Sequence, residues 1–440
     1  MTKARILLIG GNYLPEPTGI GKYNGEMMQW LAQQGYKCAV ITTYPYYPYW
    51  QTQSPYERKS YWYTREKSTA ANQELTVFRC PHYIPKNPTS GRRILSDMSY
   101  FIAAFFQIIA LLFRKKYDFV ISVAPPFQLG LLALIYKKVK GAKCIYHIQD
   151  LQIDAAKELG MIKHEWFLGR MFRLEKFILS RTDHVSTISD SMSDRVYNKC
   201  KKPVLFFPNW VDTDFFHPIK DRNRLKTLFG INPDEKVVLY SGAIGEKQGL
   251  EVLVTAAKIL AGEKIRFVIC GSGPYKEKLI TLVQKAGLTN ILFLPLQPKE
   301  KFNDFLNMAD LHVVLQKANA TDLVMPSKLS TILSVGGLAL VTATRKTSLY
   351  NIITRYDMGL VAEPENESAL VDAIRASINY SHVHKQINAR KYAIEFLTMK
   401  NVIDRFLNDI IPASPSNEKS KQPGILVTEK SPQKLVSAND

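Results

Sequence analysis

Two glycine-bearing stretches hold the residue types that chemistry on a phosphate would need. The first is Gly19-Ile20-Gly21-Lys22. The second runs from Ser241 through Gly242, Ala243, Ile244, Gly245, Glu246, Lys247 and Gln248 to Gly249, and Gly271-Ser272-Gly273-Pro274 follows it. Glycine lets a backbone approach an anion closely, and a helix opening after such a loop offers free N–H groups at its positive end. Lys247 adds a full charge, so the second loop could neutralise a departing diphosphate without a metal. A surface lysine on a glycine-rich turn would use the same residues. Met325-Pro326-Ser327-Lys328-Leu329 is a third candidate. Ser327 reads as a helix N-cap and Lys328 falls in the first turn. The helix dipole disfavours a cation there unless an anion binds as well.

Other constellations are weaker or excluded. The first stretch is not a dinucleotide fingerprint, because G-x-G-x-x-G would need glycine where Asn24 stands, and it is not a P-loop. This counts against an NAD(P)-dependent oxidoreductase. Asp212-Thr213-Asp214 has the spacing of a metal-binding pair, yet nothing near it in sequence completes a divalent-cation site. The eight histidines form no H-E-x-x-H, so no metal and no cofactor are expected. In His147-Ile148-Gln149-Asp150, Asp150 closes an apolar run and could meet a ligand hydroxyl. His147, three residues earlier on a strand, points to the opposite face and is not its partner. Tyr46, Tyr47 and Trp50, in Tyr44-Pro45-Tyr46-Tyr47-Pro48-Tyr49-Trp50, could stack on a sugar face, lie at a membrane interface, or pack a long loop.

These residues need elements to position them. Arg5–Gly10 reads as a buried strand, then a loop, a helix through Met27, Trp30 and Leu31, and a second strand at Lys37–Thr42. Further strands read at 119–122, 144–148, 184–188 and 204–207. The alternation restarts at Lys236–Ser241 and continues at 266–270, 291–294, 311–315 and 338–342. Two such series predict an α/β chain with two doubly wound parallel sheets, whose ligands sit beyond the carboxyl ends of the strands. The boundaries read as 1–210, 211–385, a C-terminal helix over 386–411 packing back on the first domain, and a disordered tail over 412–440 rich in Ser, Pro and Lys.

The chain of 440 residues carries a formal charge of +19, unevenly spread. Residues 1–210 hold 29 Lys and Arg against 15 Asp and Glu, while 211–440 hold 29 against 24. A basic first half suits a phosphate-rich partner. The five cysteines are scattered without C-x-x-C, which fits a reducing compartment. No signal peptide is read at the N-terminus. Residues 99–113 are almost wholly apolar, with Arg92 and Arg93 before them, Phe105 and Phe106 within them, and Arg114, Lys115 and Lys116 after them. Fifteen helical residues span about 22 Å, short of the roughly 30 Å hydrocarbon core. The segment therefore reads as a helix lying in an anionic membrane surface, with a buried core helix as the alternative.

Taken in order, these stretches resemble the family-4 retaining glycosyltransferases of the GT-B type, over about residues 3–410. The finer stretches PEPTGIGKYNGEM, YPYYPYW, YHIQD, FFPNW, YSGAIGEKQGLE and PSKLSTILSVGG resemble the colanic acid type of exopolysaccharide fucosyltransferase. The resemblance implies two Rossmann-like domains facing a central cleft. It implies a nucleotide-sugar donor, with GDP-fucose first and a UDP-linked N-acetylhexosamine second. It also implies a polyprenyl-diphosphate-linked glycan acceptor and no nucleic acid. The enzyme would work at the cytoplasmic face of the plasma membrane. Donor contacts would come from Gly19, Gly21, Gly242, Lys247, Gly271, Gly273, Ser327 and Lys328, and catalysis from Asp150 and Lys247. Acceptor or membrane contacts would come from Tyr46, Tyr47, Trp50, Arg92, Arg93, Phe105, Phe106, Arg114, Lys115 and Lys116. Four positions depart from the family pattern. Ala243 replaces a common arginine, Leu323 and Thr331 stand where many members carry a Glu-x7-Glu pair, and Gln149 replaces the usual histidine beside Asp150.

Overall fold

The computed structural model describes residues 3–16, 19–67, 74–158, 162, 164–318, 326–345 and 347–411. The tail 412–440 lies outside the described residues.

The first domain holds strands β1 (Arg5–Ile9), β2 (Lys37–Thr43), β3 (Thr64–Lys67), β4 (Leu75–Cys80), β5 (Phe119–Ala124), β6 (Lys143–Ile148), β7 (His184–Thr187) and β8 (Val204–Phe206). Its helices are α1 (Gly19–Gln33), α2 (Ser90–Leu112), α3 (Leu129–Lys140), α4 (Gln152–Glu158), α5 (Glu165–Arg181) and α6 (Asp190–Cys200). The sheet order is β3-β4-β2-β1-β5-β6-β7-β8. Every pairing is parallel except β3 on β4. Central strands covered by helices on both faces must be apolar throughout, and Ile6, Leu7, Leu8 and Ile9 are all buried.

The second domain holds β9 (Lys236–Ser241), β10 (Ile265–Cys270), β11 (Ile291–Leu294), β12 (Leu311–Val314), β13 (Ala339–Thr342) and β14 (Gly359–Ala362), all parallel in the order β11-β10-β9-β12-β13-β14. Around it lie α7 (Arg222–Leu228), α8 (Glu251–Ile259), α9 (Lys276–Lys285), α10 (Lys299–Asn307), α11 (Ser327–Ser334), α12 (Ser348–Arg355), α13 (Glu367–Asn379) and α14 (Val383–Phe396), and α15 (Met399–Ile410) follows them. Each sheet reverses its winding once, between β1 and β5 and between β9 and β12. These are the two places where a doubly wound sheet opens a crevice for a ligand.

Residues 386–411 form not one helix but parts of two. Ala389, Tyr392 and Ala393 of α14 pack in the second domain, whereas Val402, Ile403, Phe406 and Leu407 of α15 join the core of the first. Phe406 stacks on Phe207 at 4.0 Å. The two crossings of the chain meet in a parallel bridge between Val211 and Thr398. Trp210 anchors that crossing to α1, its Nε1 donating to Glu26 at 2.6 Å.

The apolar segment read at 99–113 belongs to a longer helix. α2 has 23 residues and is about 35 Å long. The length argument against a membrane span therefore does not hold, because the helix begins nine residues earlier, behind the extended residue Thr89. Its packing supplies a different argument. Tyr100, Ala103, Ala104, Ile108 and Leu111 form a stripe against the sheet. The Tyr100 hydroxyl donates to the carbonyl oxygens of Gly10 and Ile41, at 2.9 Å each. The opposite face remains apolar and exposed at Leu95, Met98, Ile102 and Phe106.

Candidate active site

The loop after β1 is held by side chains. Glu16 is 1% exposed, and its Oε1 accepts the backbone N–H groups of Tyr46 and Tyr47, both at 3.0 Å. Its Oε2 accepts from Asn12 Nδ2 at 2.9 Å. Burial pushes the Glu16 carboxyl upward, and these three donors oppose the shift. Gly21 packs directly against this group, where a methyl would stand 2.7 Å from Glu16 Oε2. Gly19 has φ +64 and no neighbour at its Cβ position, so backbone conformation alone favours glycine there. Lys22 lies 3.9 Å from Glu26. From β4, buried Arg79 donates to the carbonyl oxygens of Leu14 and Thr43 and pairs with Glu66.

The aromatic stretch is thereby tied to the glycine loop. Tyr46 packs on Trp50 and on His82, at 5.5 and 4.8 Å between ring centres. Burial lowers the His82 pKa to about 3, so its ring is neutral. Tyr47 is exposed. Arg93 lies over the Trp50 ring at 5.0 Å and donates to the Pro88 carbonyl, while Arg92 is exposed. Asp97 on α2 accepts from Gln152 Nε2 at 3.0 Å, and burial raises its carboxyl to about 6. Asp150 is exposed just beyond β6. His147 is buried against Ser186 at 3.0 Å and Phe207, and burial lowers its pKa to about 3. It is a core residue.

The second loop is closed by tight backbone packing, with side-chain bonds only from within it: the Tyr240 hydroxyl donates to the Ala243 carbonyl. A methyl on Gly271 would stand 1.9 Å from the Gly242 carbonyl oxygen, and one on Gly273 2.1 Å from that of Ile244. The Ile244 N–H also donates to the Ser272 carbonyl at 2.9 Å. Lys247 occupies the 3-10 turn Glu246–Gln248, and its side chain lies outside the described residues. The neighbouring Gln248 turns back, its Oε1 accepting the Gly245 N–H at 3.0 Å.

Lys328 joins this loop from α11. Its Nζ lies 3.8 Å from the centre of the Tyr240 ring and beside Gly242, where a methyl would meet it at 2.8 Å. Burial lowers its pKa to about 7. Lys328 thus brings an amine from α11 to the loop in which Ala243 stands. Ser327 is not an N-cap: Pro326 takes the flanking position with extended backbone, Ser327 is the first helical residue, and no side chain caps the helix. The Thr331 hydroxyl donates back to the Lys328 carbonyl, and Leu323 lies outside the described residues.

A cavity of about 210 Å³ opens beside the turn, at the β9/β12 reversal, lined by Gln248, Gly249, Glu251, Gln316, Lys317 and Thr342 among others. Glu251 Oε2 and Gln316 Oε1 are buried there without a hydrogen-bond partner among the described residues. They supply acceptors for a hydroxyl-bearing ligand. The structure thus gathers Gly242, Gly271, Gly273 and Lys328 at one place, and Gly21 with Tyr46 and Tyr47 at another. Phe105, Phe106, Arg114, Lys115 and Lys116 lie along or beyond α2 instead. Glu16, Arg79 and Asp97 were missed in the sequence. Only Glu16, a lone charge between two prolines in a glycine loop, gave a local signal.

Comparison with known proteins matches this arrangement. Residues 18–210 fit the family described as glycosyl transferase 4-like domain, and residues 221–395 the glycosyl transferases group 1. The chain is 40% identical over 416 residues to the putative colanic acid biosynthesis glycosyl transferase WcaI of Escherichia coli K12, covering 92% of this chain and 99% of that protein. It is 22% identical over 295 residues to the probable glycosyltransferase WbjE of Pseudomonas aeruginosa, covering 66% and 74%. Among solved structures, sucrose-phosphate synthase from Thermosynechococcus elongatus superimposes with a TM-score of 0.70 at 15% identity, over 92% of this chain and 97% of that one. Two doubly wound domains, each matching a glycosyltransferase family, and a full-length relative at this identity make the chain a member of the group 1 glycosyltransferases, an enzyme of the GT-B fold.

Proposed function

We propose that this enzyme transfers a sugar, L-fucose from GDP-fucose, with retention of configuration onto a polyprenyl-diphosphate-linked oligosaccharide in the synthesis of a colanic-acid-type exopolysaccharide. The observation carrying the reading is the full-length likeness to the WcaI protein, and it is supported by the gathering of Gly242, Gly271 and Lys328 at one loop. The donor binds the second domain and the acceptor the basic first domain. Closure of the cleft excludes water that would hydrolyse the donor. As the sugar–phosphate bond loosens, Lys328, Lys247 and the N–H groups at the start of α11 stabilise the departing diphosphate. The leaving phosphate oxygen takes the acceptor proton, which suits retention. His147 is buried and neutral, and Asp150 serves to orient hydroxyls. The exposed face of α2 rests on the cytoplasmic surface of the membrane.

A thermal-shift panel of GDP, UDP, GDP-fucose and UDP-N-acetylhexosamines tests the donor, since a ligand of the folded state raises the melting temperature by mass action. Stabilisation by GDP compounds is expected. Stabilisation by UDP compounds alone would transfer the reading to an amino-sugar transferase.

A further inference from the structure

A second cavity lies on the opposite edge of the first sheet. It measures about 380 Å³ and sits at the starts of β1, β2 and β4 and the end of α2. One strand length, about 17 Å, separates this edge from the glycine loop. Arg5, Lys37, Arg65, Lys67, Arg114 and Lys115 line it, against one carboxylate, Glu74, which pairs with Lys37 at 2.9 Å.

The three arginines are held against rings rather than carboxylates. Arg5 lies over Tyr117 at 4.9 Å, and Arg65 and Arg114 both lie over Phe78 at 5.7 Å. Arg5 Nε is buried with no hydrogen-bond partner among the described residues. Converging like charges repel, and a buried guanidinium donor left unpaired costs free energy. Both terms reverse sign when an anion enters, and the guanidinium fork matches phosphate oxygens. The exposed apolar face of α2, with Ile102 and Phe106, leads to Phe113, 87% exposed and directly before the lining residue Arg114.

We propose that this basic cavity binds the phosphate of an anionic membrane lipid, docking the first domain through the edge of its sheet remote from the glycine loop. The assignment rests on the membrane reading above and adds a headgroup site to it. Apolar residues at the end of α2 sit at the acyl boundary while the arginines take the headgroup.

Co-sedimentation of the full chain with vesicles tests this, using phosphatidylcholine alone or mixed with phosphatidylglycerol at fixed low salt. Wild type is expected to prefer the mixed vesicles. Each lost charge should weaken that binding about fivefold, so R65Q/R114Q should lose about 25-fold. K264Q/K285Q, the same charge change on exposed lysines of the second domain, should lose less than twofold. Inorganic pyrophosphate should compete. Circular dichroism and melting temperature verify that each variant is folded. Equal losses in the two double variants would overturn the proposal. Stabilisation by pyrophosphate that R65Q/R114Q abolishes, without any vesicle binding, would overturn the lipid assignment in favour of a soluble anion. If F106S/F113S releases the protein from vesicles but R65Q/R114Q does not, the headgroup site fails and the membrane reading stands. If wild type binds neither vesicle, both fail.

Discussion

The two glycine loops look alike in sequence and are built in opposite ways. The first is closed by side chains reaching across: Glu16 to the N–H groups of Tyr46 and Tyr47, and Arg79 to the carbonyls of Leu14 and Thr43. In the second, Gly271 and Gly273 lie where any side chain would strike the carbonyl oxygens of Gly242 and Ile244, and the side-chain bonds, from Tyr240 to the Ala243 carbonyl and from the Gly245 N–H to Gln248, stay within three residues. A loop of the first kind tolerates small movements, because flexible groups can follow. A loop of the second kind is rigid, which suits a fixed cradle for a leaving group.

This contrast sets the scale of the expected effects. Gly271→Ala should be the most damaging change, since no rotamer can relieve a contact between a Cβ and a carbonyl oxygen. Loss of upwards of about 3 kcal/mol is expected, with donor binding lost as well. Chemical denaturation and nucleotide titration would read both, and near-wild-type values would break the contrast. Glu16→Ala comes next. It leaves two N–H groups unpaired, for about 2 kcal/mol, and frees the aromatic loop. Faster amide exchange confined to Tyr46 and Tyr47 is the signature to look for.

Lys328→Met probes the cation that the second loop borrows from α11. With the free-protein pKa at about 7, binding a diphosphate must draw a proton onto the amine above that pH. Donor affinity should therefore fall by up to tenfold per pH unit above pH 7, in step with the neutral fraction. The variant should bind roughly tenfold more weakly at pH 7, by about 1.4 kcal/mol, and lose the pH slope. Because the folded pKa lies below that of the unfolded lysine, the unliganded enzyme should also gain stability as pH rises from 7 towards 10, and the variant should not. Calorimetry in buffers of different ionisation enthalpy counts the proton, and an absence of uptake would remove Lys328 from the phosphate site. The smallest effect is expected for Gly19→Ala. Only its positive φ is at stake, at about 1 kcal/mol, with the loop otherwise unchanged. A loss as large as that of Gly271→Ala would mean the first loop is also backbone-locked.

Much of this architecture was readable along the chain. Continuous apolar runs bounded by glycine or proline mark β1, β2, β5 and β9 because central parallel strands are covered on both faces. Two strands of the first sheet went unread. β3 reads Thr-Arg-Glu-Lys and is an edge strand, and β4 carries buried Arg79, whose charge is satisfied by carbonyl, carboxylate and hydroxyl groups on other elements. β14 is four residues long and begins with glycine, too short to show a period. In the candidate site, the glycines were legible because their spacing is local. Asp97 was not, since it reaches Gln152 only through the packing of α2 against the sheet.

The sequence by itself determined the two doubly wound domains, the glycine loops and the excess of positive charge in the first half. Those properties depend on neighbours in the chain, on periodicity and on composition. Only the tertiary structure decided that Lys328 stands beside Gly242, that Glu16 clamps the aromatic loop, that α2 turns one apolar face inward and one outward, and that three arginines converge on Tyr117 and Phe78. Each of those contacts joins residues that are remote in sequence. The free energy of placing a charge or a ring there is set by burial and by partners that the fold alone brings within reach.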